Sequence, residues 1–193
     1  MRLFVASFFS EPMLDWLMKS GLSLSELFPA RTLRLTRQEN LHLTYQFLGE
    51  VPGSKVAQIS KEIEIALRDV AAFEYSSGLV GVFPNKFRPR IMWIALEPVS
   101  RFQLLASKIS RALEKVVTID SKHFLPHVTL ARFNENHSAL SIVETDNVIL
   151  PQFHILDEDR TINSVSLCQS ELTPKGPIYS EISRYELNKF AKL

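Results

Sequence analysis

The strongest constraint on this chain is a heptapeptide that occurs twice. Leu41-His-Leu-Thr-Tyr-Gln-Phe47 can be laid over Pro126-His-Val-Thr-Leu-Ala-Arg132, with 85 residues between equivalent positions in a chain of 193. The first copy alternates apolar and polar residues, as a strand with one buried face does. Side chains at i and i+2 of a strand share a face, so His42 stands beside Thr44 and His127 beside Thr129. In the first copy Leu41, Leu43, Tyr45 and Phe47 fill the core face, while His42, Thr44 and Gln46 look into a cleft. Two such strands half a chain apart predict two similar lobes facing each other, each contributing one His-x-Thr pair.

The surrounding segments alternate between strand and helix patterns. Strands are expected over residues 2–9, 41–48, 73–83, 91–96 and 127–133, with a closing hairpin of strands near 162–171 and 178–186. Thr173-Pro-Lys-Gly176 supplies the hairpin's turn chemistry. A helix over 11–19 has Ser10 as its cap and Pro12 in its first turn. A second, over 55–70, is capped by Ser54 and carries Val56, Ile59, Ile63, Leu67 and Val70 on one stripe. A third, over 100–116, buries Phe102, Leu105, Ile109, Leu113 and Val116. The stretch from 134 to 148 follows neither period. No linker or low-complexity run interrupts the chain, so residues 1–193 are expected to form a single α+β domain of two intertwined lobes.

Charge and cysteine usage exclude several classes of function. Lysine and arginine total 22 against 21 aspartate and glutamate, a net charge of +1. That balance argues against a polycationic nucleic-acid coat and leaves room for a local basic patch. Cys168 is the only cysteine, so there is no internal disulfide and no CxxC motif, and a reducing, cytoplasmic setting is expected. No apolar run is long enough to span a membrane, and the apolar opening Arg2-Leu-Phe-Val-Ala-Ser-Phe-Phe reads as a buried strand. The six glycines form neither GxGxxG nor GxxxxGK[ST].

The chemistry therefore rests on the two His-x-Thr pairs. An imidazole titrates near ~6.5, so one histidine can take a proton while another gives one at neutral pH. Threonine hydroxyls can donate to phosphate oxygens. Such a site needs no metal and no cofactor. His123 lies four residues before His127, but Pro126 argues against the helix that a metal pair would require.

The chain resembles the 2H phosphoesterases, the LigT-like group, and within them the RNA 2′,3′-cyclic phosphodiesterases, also called 2′-5′ RNA ligases. The resemblance rests on Asn40 to Val51 and on Pro126 to Arg132. It is supported by Arg2-Leu-Phe-Val-Ala, by Phe83-Pro-Asn with Arg88-Pro-Arg-Ile-Met-Trp93, and by Leu172-Thr-Pro-Lys-Gly-Pro-Ile-Tyr179. It implies a two-lobed fold, with two antiparallel sheets in pseudo-twofold relation around a central cleft and helices outside. It further implies His42 as proton donor to the leaving 3′ oxygen and His127 as proton acceptor that activates water. The expected substrate is an RNA or oligonucleotide ending in a 2′,3′-cyclic phosphate, and the expected product a 2′-phosphomonoester. Thr44, Thr129 and Arg132 would hold the phosphate. On a regular strand Arg132 would point away from His127, so its role requires a strand end or a bulge. Tyr45 and Gln46 fall where the family often has smaller or aliphatic residues.

Weaker candidates complete the reading. Arg90, with Lys86 and Arg88, could track an RNA backbone. Phe124, Tyr179 and Phe87 could stack a base. Arg31, Arg34, Arg37, His137 and His154 read as surface residues, and Cys168 as structural. No obligate protein partner is evident, and a monomer is expected. The same two histidines would equally serve 2′-5′ ligation, 2′-5′ phosphodiester cleavage or hydrolysis of nucleotide cyclic phosphates. A non-catalytic RNA-binding module is the alternative outside enzymology.

Overall fold

The apolar opening of the chain becomes an interior strand with two different faces. In β1 (Arg2–Ser7), Leu3 and Val5 belong to the main core, while Phe4 and Ala6 are buried on the other side with Cys168. The computed structural model describes residues 1–119, 124–134, 157–174 and 176–189. After β1 the order is α1 (Glu11–Ser25), β2 (Leu33–Leu35), β3 (Leu43–Glu50), α2 (Val56–Leu67), β4 (Phe73–Glu74), β5 (Ser76–Phe83), β6 (Ile91–Glu97) and α3 (Val99–Leu113). Then follow β7 (His127–Phe133), β8 (Thr161–Ile162), β9 (Ser164–Thr173) and β10 (Gly176–Glu186).

Eight of the strands join in one antiparallel sheet, made of two four-stranded sheets placed edge to edge. One runs β10-β9-β1-β3, and the other is β7-β6-β5 with β2 on the free edge of β7. They meet where β3 touches β7, through the single pairing of Leu43 with Val128. A separate two-stranded ribbon pairs β4 with β8. The first sheet uses both ends of the described chain and the second uses its middle, so the halves interleave. All three helices bury their apolar sides in one core against Leu3, Val5, Leu43, Met92, Ile94 and Val128. The opposite face of both sheets is left for the polar side chains of the repeated motif. In the core, Tyr45 donates its hydroxyl to Ser7 Oγ at 3.0 Å, and that oxygen in turn donates to the Ser164 carbonyl at 2.6 Å. The partner is what allows a tyrosine to be buried there.

Several boundaries depart from expectation for identifiable reasons. α1 runs six residues past the expected end at 19, through Ser20 and Gly21. Both are buried, and a Cβ on Gly21 would stand in ordinary contact with Leu35 and Leu130, 3.6 and 3.8 Å away. Ser10 does not cap α1 with its side chain; its hydroxyl donates to the Asp159 carbonyl. Ser54 lies in a single 3-10 turn (Gly53–Lys55) ahead of α2, so it is not the cap either. The strand expected over 73–83 divides into β4 and β5, which pair with different partners. Residues 135–148 lie outside those described.

A larger correction concerns β3. Its pairing with β1 runs Ala6 with Thr44 and then Val5 with Gln46, so Tyr45 is an extra residue in a bulge. A bulge inverts the alternation beyond it. Gln46 therefore lies across from core-facing Val5, and Phe47 across from Phe4 on the face that carries His42. The expectation that Gln46 looks into the cleft and Phe47 into the core is reversed. Phe47 is 45% exposed, and Leu48 is buried in its stead.

Candidate active site

The junction between the two sheets brings the repeated motifs together. Antiparallel register about the Leu43–Val128 pair sets His42 toward Thr129 and Thr44 toward His127. The two imidazoles and two hydroxyls thus form a four-group array about a local twofold. Each histidine is held the same way. His42 Nδ1 lies 2.7 Å from the Asn40 carbonyl oxygen, and His127 Nδ1 lies 2.7 Å from that of Leu125. A carbonyl can only accept, so Nδ1 carries hydrogen in both rings and Nε2 is left for proton transfer. Asn40 is itself anchored, donating from its side-chain amide to the Pro177 carbonyl on β10 at 3.2 Å.

Aromatic rings enclose both imidazoles. His42 has Phe4 at 5.2 Å, Tyr179 edge-on at 5.1 Å and Phe8 at 5.9 Å between ring centres. His127 has Phe83 edge-on at 5.2 Å and Trp93 at 6.0 Å. Trp93 lies across from Gly81 and stacks on Phe83 at 4.9 Å. A Cβ on Gly81 would stand 2.3 Å from the indole, so glycine there makes room for the ring. These enclosures withdraw water, which disfavours the charged imidazolium. Burial pushes His42 down from 6.5 to about 4, against the pull of its Asn40 bond, and the charges of His127 and Arg132 lower it further. Burial lowers His127 as well, opposed by its bond to Leu125.

Arg132 reaches the site through a second bulge. β6 pairs Trp93 with Thr129 and then Met92 with Ala131, which leaves Leu130 as the extra residue. Leu130 and Ala131 both face the core, so Arg132 returns to the face of His127 and Thr129. Its charge is felt by both His42 and Tyr179. The structure therefore gathers His42, Thr44, His127, Thr129, Arg132 and Tyr179.

Other candidates are placed differently. Phe124 stacks on Tyr45 at 6.2 Å and packs against the core, so its ring already has a protein partner. Arg90 is exposed immediately before β6, and its backbone bridges Phe83 and Phe133. Lys86, Phe87 and Arg88 lie on an exposed turn whose Phe87 and Arg88 amides donate to Asn85 Oδ1. Arg34 is exposed but stands directly across from Arg132. His123, His137 and His154 lie outside the described residues. Cys168 is buried, and burial and the charge of Glu181 raise its thiol to about 12, as befits a structural residue. The enclosing rings Phe4, Phe8, Phe83 and Trp93 were not anticipated. A signal existed in β1, where strict alternation puts Arg2, Phe4, Ala6 and Phe8 on one face. Among the described residues no three His, Cys, Asp or Glu side chains cluster as metal ligands, and no helix is long and apolar enough to cross a membrane.

Comparison with known proteins bears on the family and the fold. Residues 24–155 match the family model of the 2′-5′ RNA ligase superfamily. An RNA 2′,3′-cyclic phosphodiesterase of Archaeoglobus fulgidus is 30% identical over 187 residues, covering 96% of this chain and 100% of the relative. A crystal structure from Thermus thermophilus is 27% identical with a TM-score of 0.77, covering 98% of this chain and 99% of that one. E. coli LigT complexed with 3′-AMP is similar at a TM-score of 0.70 and 23% identity, with 96% and 97% covered.

Proposed function

The chain belongs to the 2′-5′ RNA ligase superfamily, and on that premise we propose that it hydrolyses RNA 2′,3′-cyclic phosphate ends to 2′-phosphomonoesters with its two histidines as acid and base. The observation that carries this reading is the matched pair of Nδ1–carbonyl bonds, which leaves both Nε2 atoms for proton transfer in one four-group array. His127 Nε2 takes a proton from water, and the hydroxide attacks phosphorus. The P–O3′ bond breaks, and His42 Nε2–H gives its proton to the departing O3′. Thr44 and Thr129 donate to the non-bridging oxygens, while Arg132 balances their charge. The acid is loaded by the substrate: an anionic phosphate beside His42 favours the imidazolium that burial resists in the free protein. Relatives named as RNA 2′,3′-cyclic phosphodiesterases support the substrate class, and a fold relative holding 3′-AMP is in keeping with a nucleotide in the cleft.

The test is hydrolysis of a short RNA ending in a 2′,3′-cyclic phosphate, in excess EDTA, with the product end identified. Turnover to a 2′-phosphate is expected. His42→Ala and His127→Ala should each lose roughly 10²–10⁴ in kcat. Full activity in either variant, or activity abolished by EDTA and restored by a divalent ion, would sink the two-histidine reading.

A further inference from the structure

The two halves share a bulge but not the residue that follows it. In the first half the pairs run Ala6–Thr44, Val5–Gln46 and Phe4–Phe47; in the second they run Trp93–Thr129, Met92–Ala131 and Ile91–Arg132. Where the second half presents Arg132, the first presents Phe47. That position nonetheless has a cation. The Arg2 guanidinium lies over the Phe47 ring, 4.9 Å from its centre. Arg2 is two residues from Phe4 on β1 and so shares its face, the face of His42. Tyr179 stands between, 4.9 Å from Phe4 and 5.1 Å from His42, and its hydroxyl feels the charges of both Arg132 and Arg2. Among the described residues no carboxylate pairs with Arg2. Glu50, across from it in register, meets the N-terminal ammonium at 3.4 Å.

A guanidinium seated on an aromatic face is held in place without being neutralised, and its N–H groups stay available to an anion. We propose that Arg2, on its Phe47 seat and beside Tyr179, is a second anion subsite that contacts the phosphodiester upstream of the reacting end, so that the site favours oligonucleotides over cyclic mononucleotides. This deepens the phosphodiesterase reading and rests on it. Arg132 serves the reacting phosphate from one half, while Arg2 serves the preceding phosphate from the other.

The experiment compares a five-nucleotide RNA bearing a 2′,3′-cyclic phosphate with a 2′,3′-cyclic mononucleotide. Arg2→Ala should lower the oligonucleotide-to-mononucleotide ratio of kcat/KM about tenfold, mostly through KM, and reduce the salt dependence of oligonucleotide binding by about one ion. Phe47→Leu, which keeps the charge but removes its seat, should move the ratio in the same direction by less. Equal losses on both substrates, or an unchanged ratio, would overturn the subsite. Binding of a 5′-labelled oligonucleotide to His42→Ala, followed by anisotropy, separates this from the chemistry. About tenfold weaker binding on adding Arg2→Ala upholds the subsite even if hydrolysis is never seen, and unchanged binding refutes it.

Discussion

His42 shows how far a neighbourhood can move one titration. Phe4, Phe8 and Tyr179 strip its water, and the charge of Arg132 and any charge on His127 add to the effect, so the free imidazole is pushed down to about 4. In the role of acid it must be protonated, and in the free protein that fraction falls tenfold per pH unit above its pKa. A bound phosphate reverses the balance. Since kcat/KM reports the free protein and kcat the complex, the alkaline fall of kcat should lie at higher pH than that of kcat/KM. Coincident alkaline limbs in the two profiles would contradict substrate-loaded protonation. The histidine pairs themselves were legible at this scale, because strand alternation alone puts His42 with Thr44 and His127 with Thr129. The rings around them were not, because Phe83 and Trp93 lie on other strands whose register no local pattern reveals.

At the scale of elements, the bulges at Tyr45 and Leu130 decide which residues serve the site. Each inverts one alternation, bringing Arg132 in and exchanging Gln46 for Phe47. No property of Tyr45 or Leu130 announces this, since a bulge belongs to a pair of strands rather than to one. Most strands and the helices α1 to α3 were legible from periodicity, with most boundaries within a few residues of expectation, but the three-residue β2 was not expected. α1 was underestimated, since it runs on through the buried Ser20 and Gly21 to Ser25. Gly81 is a packing choice against a ring. Gly81→Ala sets a methyl into the Trp93 indole and should cost about 1–3 kcal/mol of stability. Trp93→Leu should recover part of that loss in the double variant. Thermal unfolding of the four proteins checks this, and strictly additive effects would contradict the contact.

At the scale of the whole molecule, the first sheet is closed by strands from both ends of the described chain and the second by its middle. The three helices bury one core against both sheets. We expect a single calorimetric unfolding transition with matching calorimetric and van't Hoff enthalpies; two resolved transitions would mean that the lobes are separable. The near-twofold at Leu43–Val128 has one more consequence, for fidelity. An array that looks the same after half a turn is ambidextrous: a phosphate entering either way round meets an imidazole on each side and a hydroxyl beside each. Which ester oxygen departs is then left to whatever seats the sugar, and there the halves differ: Arg132 and Trp93 on one side, Phe47 with Arg2 and Tyr179 on the other. On the proposed reading, the regiochemistry of the product is thus written in the places where the two halves differ, not in the motif that they share.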